Sequence, residues 1–330
     1  MLYLSFMTKE VLDSAPLQAE NLSVGYQLND VANILFEEVN LSLFRGHLTC
    51  LMGPNGIGKS TLIRTLAGLQ RPLAGKISKL DEKTIALVLT DKISATHMTV
   101  YDLISYGRYP HLDWGISLSP ADHDVINQSI AEVHIHSLVN KKLDELSDGQ
   151  LQLAMIARAL AQETPILLLD EPTAHLDLNN RIEIMKLLLQ LARKKNKAIL
   201  VATHELDLAL QTADHIWLAT PEKKIKIGIP EDLVLDGSFD TIFQFKGYDL
   251  KTGKIQRTFY RKTTIGLQGS DHEFLWTKNA LEREGFFVSN TGNIAVTISD
   301  QKWKIGNESF ISIQKLLDRL KSNDVLMPRP

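Results

Sequence analysis

Apolar and polar positions along the chain fall into two strand patterns and one helical pattern. Residues 17 to 28 read as a half-buried strand ending at Gly25-Tyr26, and residues 34 to 43 alternate through Ile34, Phe36, Val39, Leu41 and Leu43. That alternation predicts an antiparallel pair. The run Ile166-Leu167-Leu168-Leu169-Asp170 is continuously apolar up to its last residue, which is the pattern of a strand buried on both faces of a parallel sheet. Around it the sequence predicts a strand at 48–52, short strands at 76–78 and 84–89, a helix over 179–195, a strand at 198–203, a helix over 205–213 and strands near Ile216 and Ile225. Between about 91 and 163 the period turns helical. Thr99 opens a helix that breaks at Gly107 to Pro110, and residues 120–138 place Val125, Ile126, Ile130, Val133 and Leu138 at helical spacing. Beyond Gly237 the texture changes again: strands at 241–245 and 255–260, a helix near 274–284, strands at 286–289 and 295–299, and a last helix over 309–321.

Composition narrows this picture. At 330 residues and 44% hydrophobic, the chain can hold one large domain or two. A net charge of -3 argues against a dedicated nucleic-acid binder. The charge is uneven, with 14 Lys and Arg against 10 Asp and Glu over residues 237–330, and 22 against 29 over residues 1–236. Texture and charge together predict a domain over 1–236 and a separate small α+β domain over 237–330. The single cysteine, Cys50, allows no intrachain disulfide and reads as a small buried hydrophobe. The apolar start at residues 1–7 is short and lacks a basic leader, a poor signal peptide, and no apolar run approaches the roughly 18 residues of a membrane span.

The chemistry begins at Gly53-Pro54-Asn55-Gly56-Ile57-Gly58-Lys59-Ser60-Thr61, between a predicted strand and a predicted helix. The spacing fits G-x-x-x-x-G-K-[ST]. Its glycines let backbone N–H groups turn toward a polyphosphate, and the following helix points its positive end at the same anion. Lys59 would reach the β- and γ-phosphates and Ser60 would ligate Mg²⁺. The bound molecule is therefore a nucleotide triphosphate. Asp170 and Glu171 end the buried strand. An Asp-Glu pair is ordinarily a solvated strand end, but the apolar run before it and Pro172-Thr173 after it point instead to a held metal and an oriented water.

Leu146-Ser147-Asp148-Gly149-Gln150 lies ahead of that strand, and Ala174-His175-Leu176-Asp177 and Val201-Ala202-Thr203-His204-Glu205 follow it. In order and spacing these motifs resemble the ATP-binding cassette (ABC) ATPase family over residues 17 to about 230. The resemblance implies an α/β P-loop ATPase core with an antiparallel β subdomain and a helical subdomain at about 91–163. It makes Tyr26 the adenine-stacking aromatic. Gly53, Asn55, Gly56, Gly58, Lys59, Ser60 and Thr61 become the phosphate loop. Ser60 and Asp170 become metal ligands, Glu171 the residue that accepts a proton from or orients the attacking water, and His204 the switch that senses the γ-phosphate. Ser147, Gly149 and Gln150 would close the ATP site of a second subunit, so the working state is a dimer around two ATP molecules, with Asp177 in the loop joining the two sites.

Two positions depart from the family pattern. Asp148 replaces a glycine; either its side chain caps the helix, the favoured reading, or the partner's site is weakened. Thr90 stands where a glutamine usually links the metal and water to the helical subdomain, which routes that coupling through a water or through Asp91. Tyr106-Gly107-Arg108-Tyr109-Pro110-His111 is similar to a stretch in importers of ferric siderophores, haem and cobalamin. The implied protein is a motor subunit at the cytoplasmic face of the inner membrane. It would dock on transmembrane permease subunits and serve an extracytoplasmic substrate-binding protein indirectly. The competing class is a soluble ABC ATPase acting on a ribosome or DNA, against which stand the single cassette and the absence of a long coiled-coil insertion. The strand Phe259-Tyr260-Arg261-Lys262 reads as a solvated sheet face, not as a nucleic-acid module.

Overall fold

The computed structural model describes residues 15–28, 31–78, 84–89, 97–112, 117–255, 257–299 and 301–322. Thr90 and Asp91, which the sequence places between metal and helical subdomain, lie outside the described residues. The chain divides into two compact units, Met1–Gln244 and Phe245–Pro330.

In the first unit β1 (Leu17–Leu28) pairs antiparallel with β2 (Val31–Leu43). The phosphate loop connects β3 (Leu48–Met52) to α1 (Lys59–Leu66), and β4 (Ala74–Ile77) returns to the other edge of β1. A second sheet begins with β5 (Ile85–Val88). The helical segment holds α2 (Val100–Ser105), a 3-10 turn at Tyr106–His111, α3 (Pro120–Glu132) and α4 (Asp148–Leu160). The core then alternates through β6 (Ile166–Asp170), α5 (Leu178–Lys195), β7 (Ala198–Ala202), α6 (Leu206–Thr212), β8 (His215–Ala219) and β9 (Ile225–Gly228). It closes with α7 (Pro230–Leu235) and α8 (Ser238–Phe243).

The six-stranded sheet runs β5-β6-β7-β3-β8-β9, parallel except for the edge pair β8–β9. Every residue of β3, β6, β7 and β8 is buried, as a parallel sheet covered on both faces requires. One hydrophobic cluster joins Leu17, Phe36 and Leu43 of the antiparallel sheet to Leu51, Leu62, Leu168, Leu200 and Trp217. The phosphate loop is thus held between two sheets that share a core.

Local signals set the helix starts. Thr99 with Asp102 and Ser119 with Asp122 form capping boxes, and Asn196 in the left-handed conformation ends α5. The expected helix over 120–138 stops at Glu132, and His136–Leu138 forms a separate 3-10 turn. His134 at φ 57 interrupts it. The expected break at Gly107 to Pro110 is a 3-10 turn continuing α2, with Gly107 so close to Arg158 that a Cβ would lie 2.3 Å from its carbonyl oxygen.

The second unit comprises a hairpin of β10 (Tyr248–Asp249) and β11 (Lys254–Ile255), then β12 (Thr264–Gln268), α9 (Asp271–Arg283), β13 (Phe287–Ser289), β14 (Ile294–Ser299), β15 (Lys302–Ile305), β16 (Glu308–Phe310) and α10 (Ile313–Ser322). Its sheet order is β13-β12-β14-β15-β16. Ile265, Leu281, Phe286, Val296, Leu316 and Leu317 build a core of its own.

Several expectations for this region change. Residues 241–245 are not a strand, because Phe239, Ile242 and Phe243 fall at helical spacing in α8 and bury Phe239. Lys226 Nζ bonds Ser238 Oγ at 2.6 Å, so residues 237–244 stay with the first unit and the division falls at 244/245 instead of 236/237. The strand expected over 255–260 shortens to Lys254–Ile255. Arg257 and Tyr260 instead bond the backbone carbonyls of Asn279 and Gly285, at the end of α9 and just beyond it. The last helix starts at Ile313 rather than 309, since Glu308–Phe310 pairs with β15.

Candidate active site

Parallel pairing brings three loop starts to one edge. Leu51 of β3 and Asp170 of β6 are both in register with Ala202 of β7. The residues that follow therefore emerge side by side at the carboxyl ends of the strands, where open α/β sheets bind ligands. From β3 comes the phosphate loop. Gly58, at φ 110, is the N-cap of α1, and a Cβ there would press on Leu35 and Phe36 at 3.0 to 3.2 Å; a side chain would be strained and crowded at once. Lys59 is 6% exposed, and its Nζ donates to the carbonyls of Gly53 at 2.9 Å and Pro54 at 3.3 Å. Burial lowers its pKa, opposed by the carboxylates of Glu171 and Asp170. Asn55, Gly56 and Ser60 are exposed, while Thr61 is buried and its Oγ1 lies 2.6 Å from the Tyr26 hydroxyl. Tyr26 is 44% exposed and flanks an open groove with Gln27, Gln70, Arg71 and Leu73.

From β6 come Asp170 and Glu171. Asp170 is buried, and burial holds its pKa above the usual carboxylate range against a hydrogen bond from Ser60. Among the described residues its Oδ1 is one of three buried side-chain polar atoms with no hydrogen-bond partner. A buried carboxylate oxygen left open beside a serine hydroxyl is a donor set suited to a hard divalent cation. Glu171 sits at φ 47, with its N–H bonded to the Ala202 carbonyl at 2.9 Å. From β7 comes His204, whose Nδ1 lies 3.4 Å from Glu171 Oε2. The structure thus brings together Lys59, Ser60, Asp170, Glu171 and His204.

Ser147, Gly149 and Gln150 form a second group at the start of α4. Ser147 is the cap, with the Gln150 side chain closing the box at 3.2 Å. Asp148 is therefore not the cap. It is an exposed first-turn residue whose charge favours the helix dipole. Among the described residues no hydrogen bond or ion pair joins this group to the phosphate loop. Gly149 packs on Asn180 of α5, where a Cβ would meet the side chain at 3.0 Å, and Asn180 Nδ2 bonds Asp177 Oδ2 at 2.7 Å. A groove of about 410 Å³ beside α2 is lined by Met98, Tyr101, Tyr106, Tyr109 and Leu112. Arg108, buried in the 3-10 turn that carries Tyr106 and Tyr109, pairs with Asp122 at 2.8 Å and Glu163 at 2.7 Å.

An uncharacterised ABC transporter ATP-binding protein of Methanocaldococcus jannaschii is 39% identical over 241 residues, covering 70% of this chain and 82% of that protein. The chain belongs to the ABC transporter family. Residues 36–174 match the family itself, and residues 261–321 match the iron ABC transporter C-terminal domain. The ferric enterobactin transport ATP-binding protein FepC of Escherichia coli is 34% identical, covering 72% of this chain and 89% of that protein. A solved ABC transporter in an inward-facing conformation aligns at TM-score 0.63 and 31% identity, over 69% of this chain and 88% of that one. This ABC protein is an ATPase with the fold its motifs implied. Among its described residues no helix is long and apolar enough to cross a membrane.

Sequence reasoning passed over Asn180, Arg181 and Glu205. Arg181 donates to the Leu176 carbonyl at 2.6 Å and to Glu205 at 2.7 Å. The available signal was Asp177 as a helix cap, which fixes which residues face back along the first turn of α5.

Proposed function

We propose that this ABC ATPase is the motor subunit of a membrane importer for an iron(III)-siderophore or a related chelate such as haem or cobalamin. The observation that carries the ATPase half is the convergence of Asp170, Glu171 and His204 on the edge that holds the Lys59 loop. The importer half is supported by a tail matching an iron ABC transporter domain on a cassette similar to a ferric enterobactin transport protein.

In this reading Tyr26 stacks on adenine and Lys59 leaves the Gly53 carbonyl to bind the β- and γ-phosphates, with Gly53, Asn55, Gly56, Gly58 and Thr61 wrapping the anion. Ser60 and Asp170 would hold Mg²⁺, which neutralises charge on the phosphate oxygens. Glu171 orients a water and takes its proton as the water oxygen bonds the γ-phosphorus and the bridging oxygen departs with ADP. His204 would hydrogen-bond the γ-phosphate. Ser147, Gly149 and Gln150 supply N–H and hydroxyl donors to the ATP of a second copy, making a dimer with two shared sites. The tyrosine-lined groove receives a permease subunit at the cytoplasmic face of the inner membrane, and a substrate-binding protein outside is served through that permease. Thr90 is the expected third contact to the metal.

Co-reconstitution with a cognate permease tests the reading. ATP-dependent uptake of a ferric chelate into vesicles, lost in Glu171→Gln, is the expected result. ATPase stimulation by nucleic acid or ribosomes, with none by permease, would overturn it.

A further inference from the structure

Glu205 follows the switch histidine directly, and its Oε1 lies 3.5 Å from His204 Nε2. On the other side of the ring, Nδ1 is 3.4 Å from Glu171. Both contacts are longer than a full hydrogen bond, so the imidazole lies between two carboxylates that hold it only loosely. The short bonds are one step away. Arg181 Nη1 donates to the same Glu205 oxygen at 2.7 Å, and Arg181 Nε donates to the Leu176 carbonyl at 2.6 Å. Both are charge-assisted, and together they tie two loops to one rigid guanidinium plane. The Glu205 backbone is anchored too, its N–H bonding Thr203 Oγ1 at 3.0 Å. Leu176 belongs to the loop that ends at Asp177, the cap of α5, and Asn180 of the same helical turn meets Gly149 of α4. One turn of helix therefore touches the start of α4 through Asn180 and the switch histidine through Arg181 and Glu205.

We infer that Arg181 is a positioning residue for ATP hydrolysis, holding Glu205 so that His204 keeps its place beside Glu171, and that it transmits movement of the 174–177 loop to that histidine. Without Arg181, Glu205 is an unpaired carboxylate next to His204 and pulls the ring away from the γ-phosphate. The inference rests on the reading that His204 and Glu171 act on that phosphate.

Steady-state ATP hydrolysis by the full chain tests it with Arg181→Met, Glu205→Gln, His204→Ala and the Arg181→Met/His204→Ala pair. Misplacing a catalytic group by about 1 Å can cost on the order of 100-fold. Arg181→Met and Glu205→Gln should each lower kcat at least about tenfold with KM for ATP within about twofold, since neither residue reaches the nucleotide. On the His204→Ala background Arg181→Met should cost less than about twofold more, because its effect passes through the histidine. A merely structural arginine would not produce that loss of additivity. A kcat within twofold of the unsubstituted chain, a rise in KM alone, or a full additive loss in the pair would each overturn the inference. Should Arg181→Met fail to fold, Glu205→Gln, which keeps the side-chain volume, decides by the same criteria. Undiminished kcat in His204→Ala marks failure of the underlying reading, and Arg181 then loses its proposed role with it.

Discussion

Acidification should destabilise the first unit through one histidine that takes no part in catalysis. His215 opens β8 at 7% exposure, with its Nδ1 3.3 Å from His47 Nδ1 and the Phe44 ring beside both. Burial, reinforced by His47 and opposed by Asp214, lowers its pKa from 6.5 to about 4. Because the folded value lies below the unfolded one, the unfolded chain binds more protons between those limits, and stability falls as pH drops below 6.5. Linkage between a folded value of about 4 and an unfolded value of 6.5 gives a loss of about 2 kcal/mol from pH 7.5 to pH 5. At a urea slope of about 3 kcal/mol per molar, the midpoint should move by about 0.7 M. Other carboxylates and histidines also titrate there, so the quantity to measure is the difference between the unsubstituted chain and His215→Phe across that range. The phenylalanine variant should show the smaller acid sensitivity by that amount. Urea curves that shift in parallel for the two proteins would refute the assignment of the proton to this site.

Three further outcomes follow from particular contacts. Glu171→Gln should keep ATP affinity while kcat falls on the order of 100-fold or more, and should accumulate an ATP-bound dimer by size-exclusion chromatography; normal turnover would remove Glu171 from the water-activating role. Arg108→Met strands Asp122 and Glu163, of which Asp122 is buried, and should cost about 3 kcal/mol of first-unit stability by urea unfolding. Thr277→Val removes the acceptor of the buried Trp303 indole N–H, bonded at 2.6 Å, and should lower the thermal midpoint of the second unit with a loss of about 1 to 3 kcal/mol.

The parallel core was legible because burial on both faces favours apolar side chains, so β6 up to Asp170 and β7 advertise themselves as apolar runs, β3 does so apart from the buried Thr49, and the residues that end or follow these strands are the candidate chemistry. Cys50 fits the same logic: buried in β3, its thiol is pushed up to about 12, as expected of a packed hydrophobe. The second unit was harder for opposite reasons. Its central strand β12 contains Gly266, which lies so close to Gly292 that a Cβ would sit 2.8 Å from that backbone nitrogen. A glycine demanded by backbone approach weakens the very alternation that marks a strand. Residues 241–245 read as a strand, while Phe239, Ile242 and Phe243 fall at helical spacing, and packing chose the helix.

The candidate site divides along the same line. Groups proposed to meet the nucleotide fall in short motifs, and those motifs name Lys59, Ser60, Asp170, Glu171 and His204. Groups that orient them are not: Arg181 reaches Glu205 across 24 residues, a separation set by the β6-α5-β7 crossover and invisible to spacing. A motif records which atoms touch the phosphate, since their chemistry tolerates little choice. An orienting ion pair needs only opposite charges wherever the fold brings two loops together, so it leaves no fixed signature in the sequence. The group at Ser147, Gly149 and Gln150 shows the intermediate case. Ser147 and Gly149 were named from their motif, but Asn180, which Gly149 packs against, belongs to a different helix and follows only once Asp177 is recognised as that helix's cap. Reading a motor of this kind from sequence therefore finds the residues proposed for both halves of an ATP site before it finds the contacts between those groups, which run through Asn180 and Arg181 in the first turn of α5.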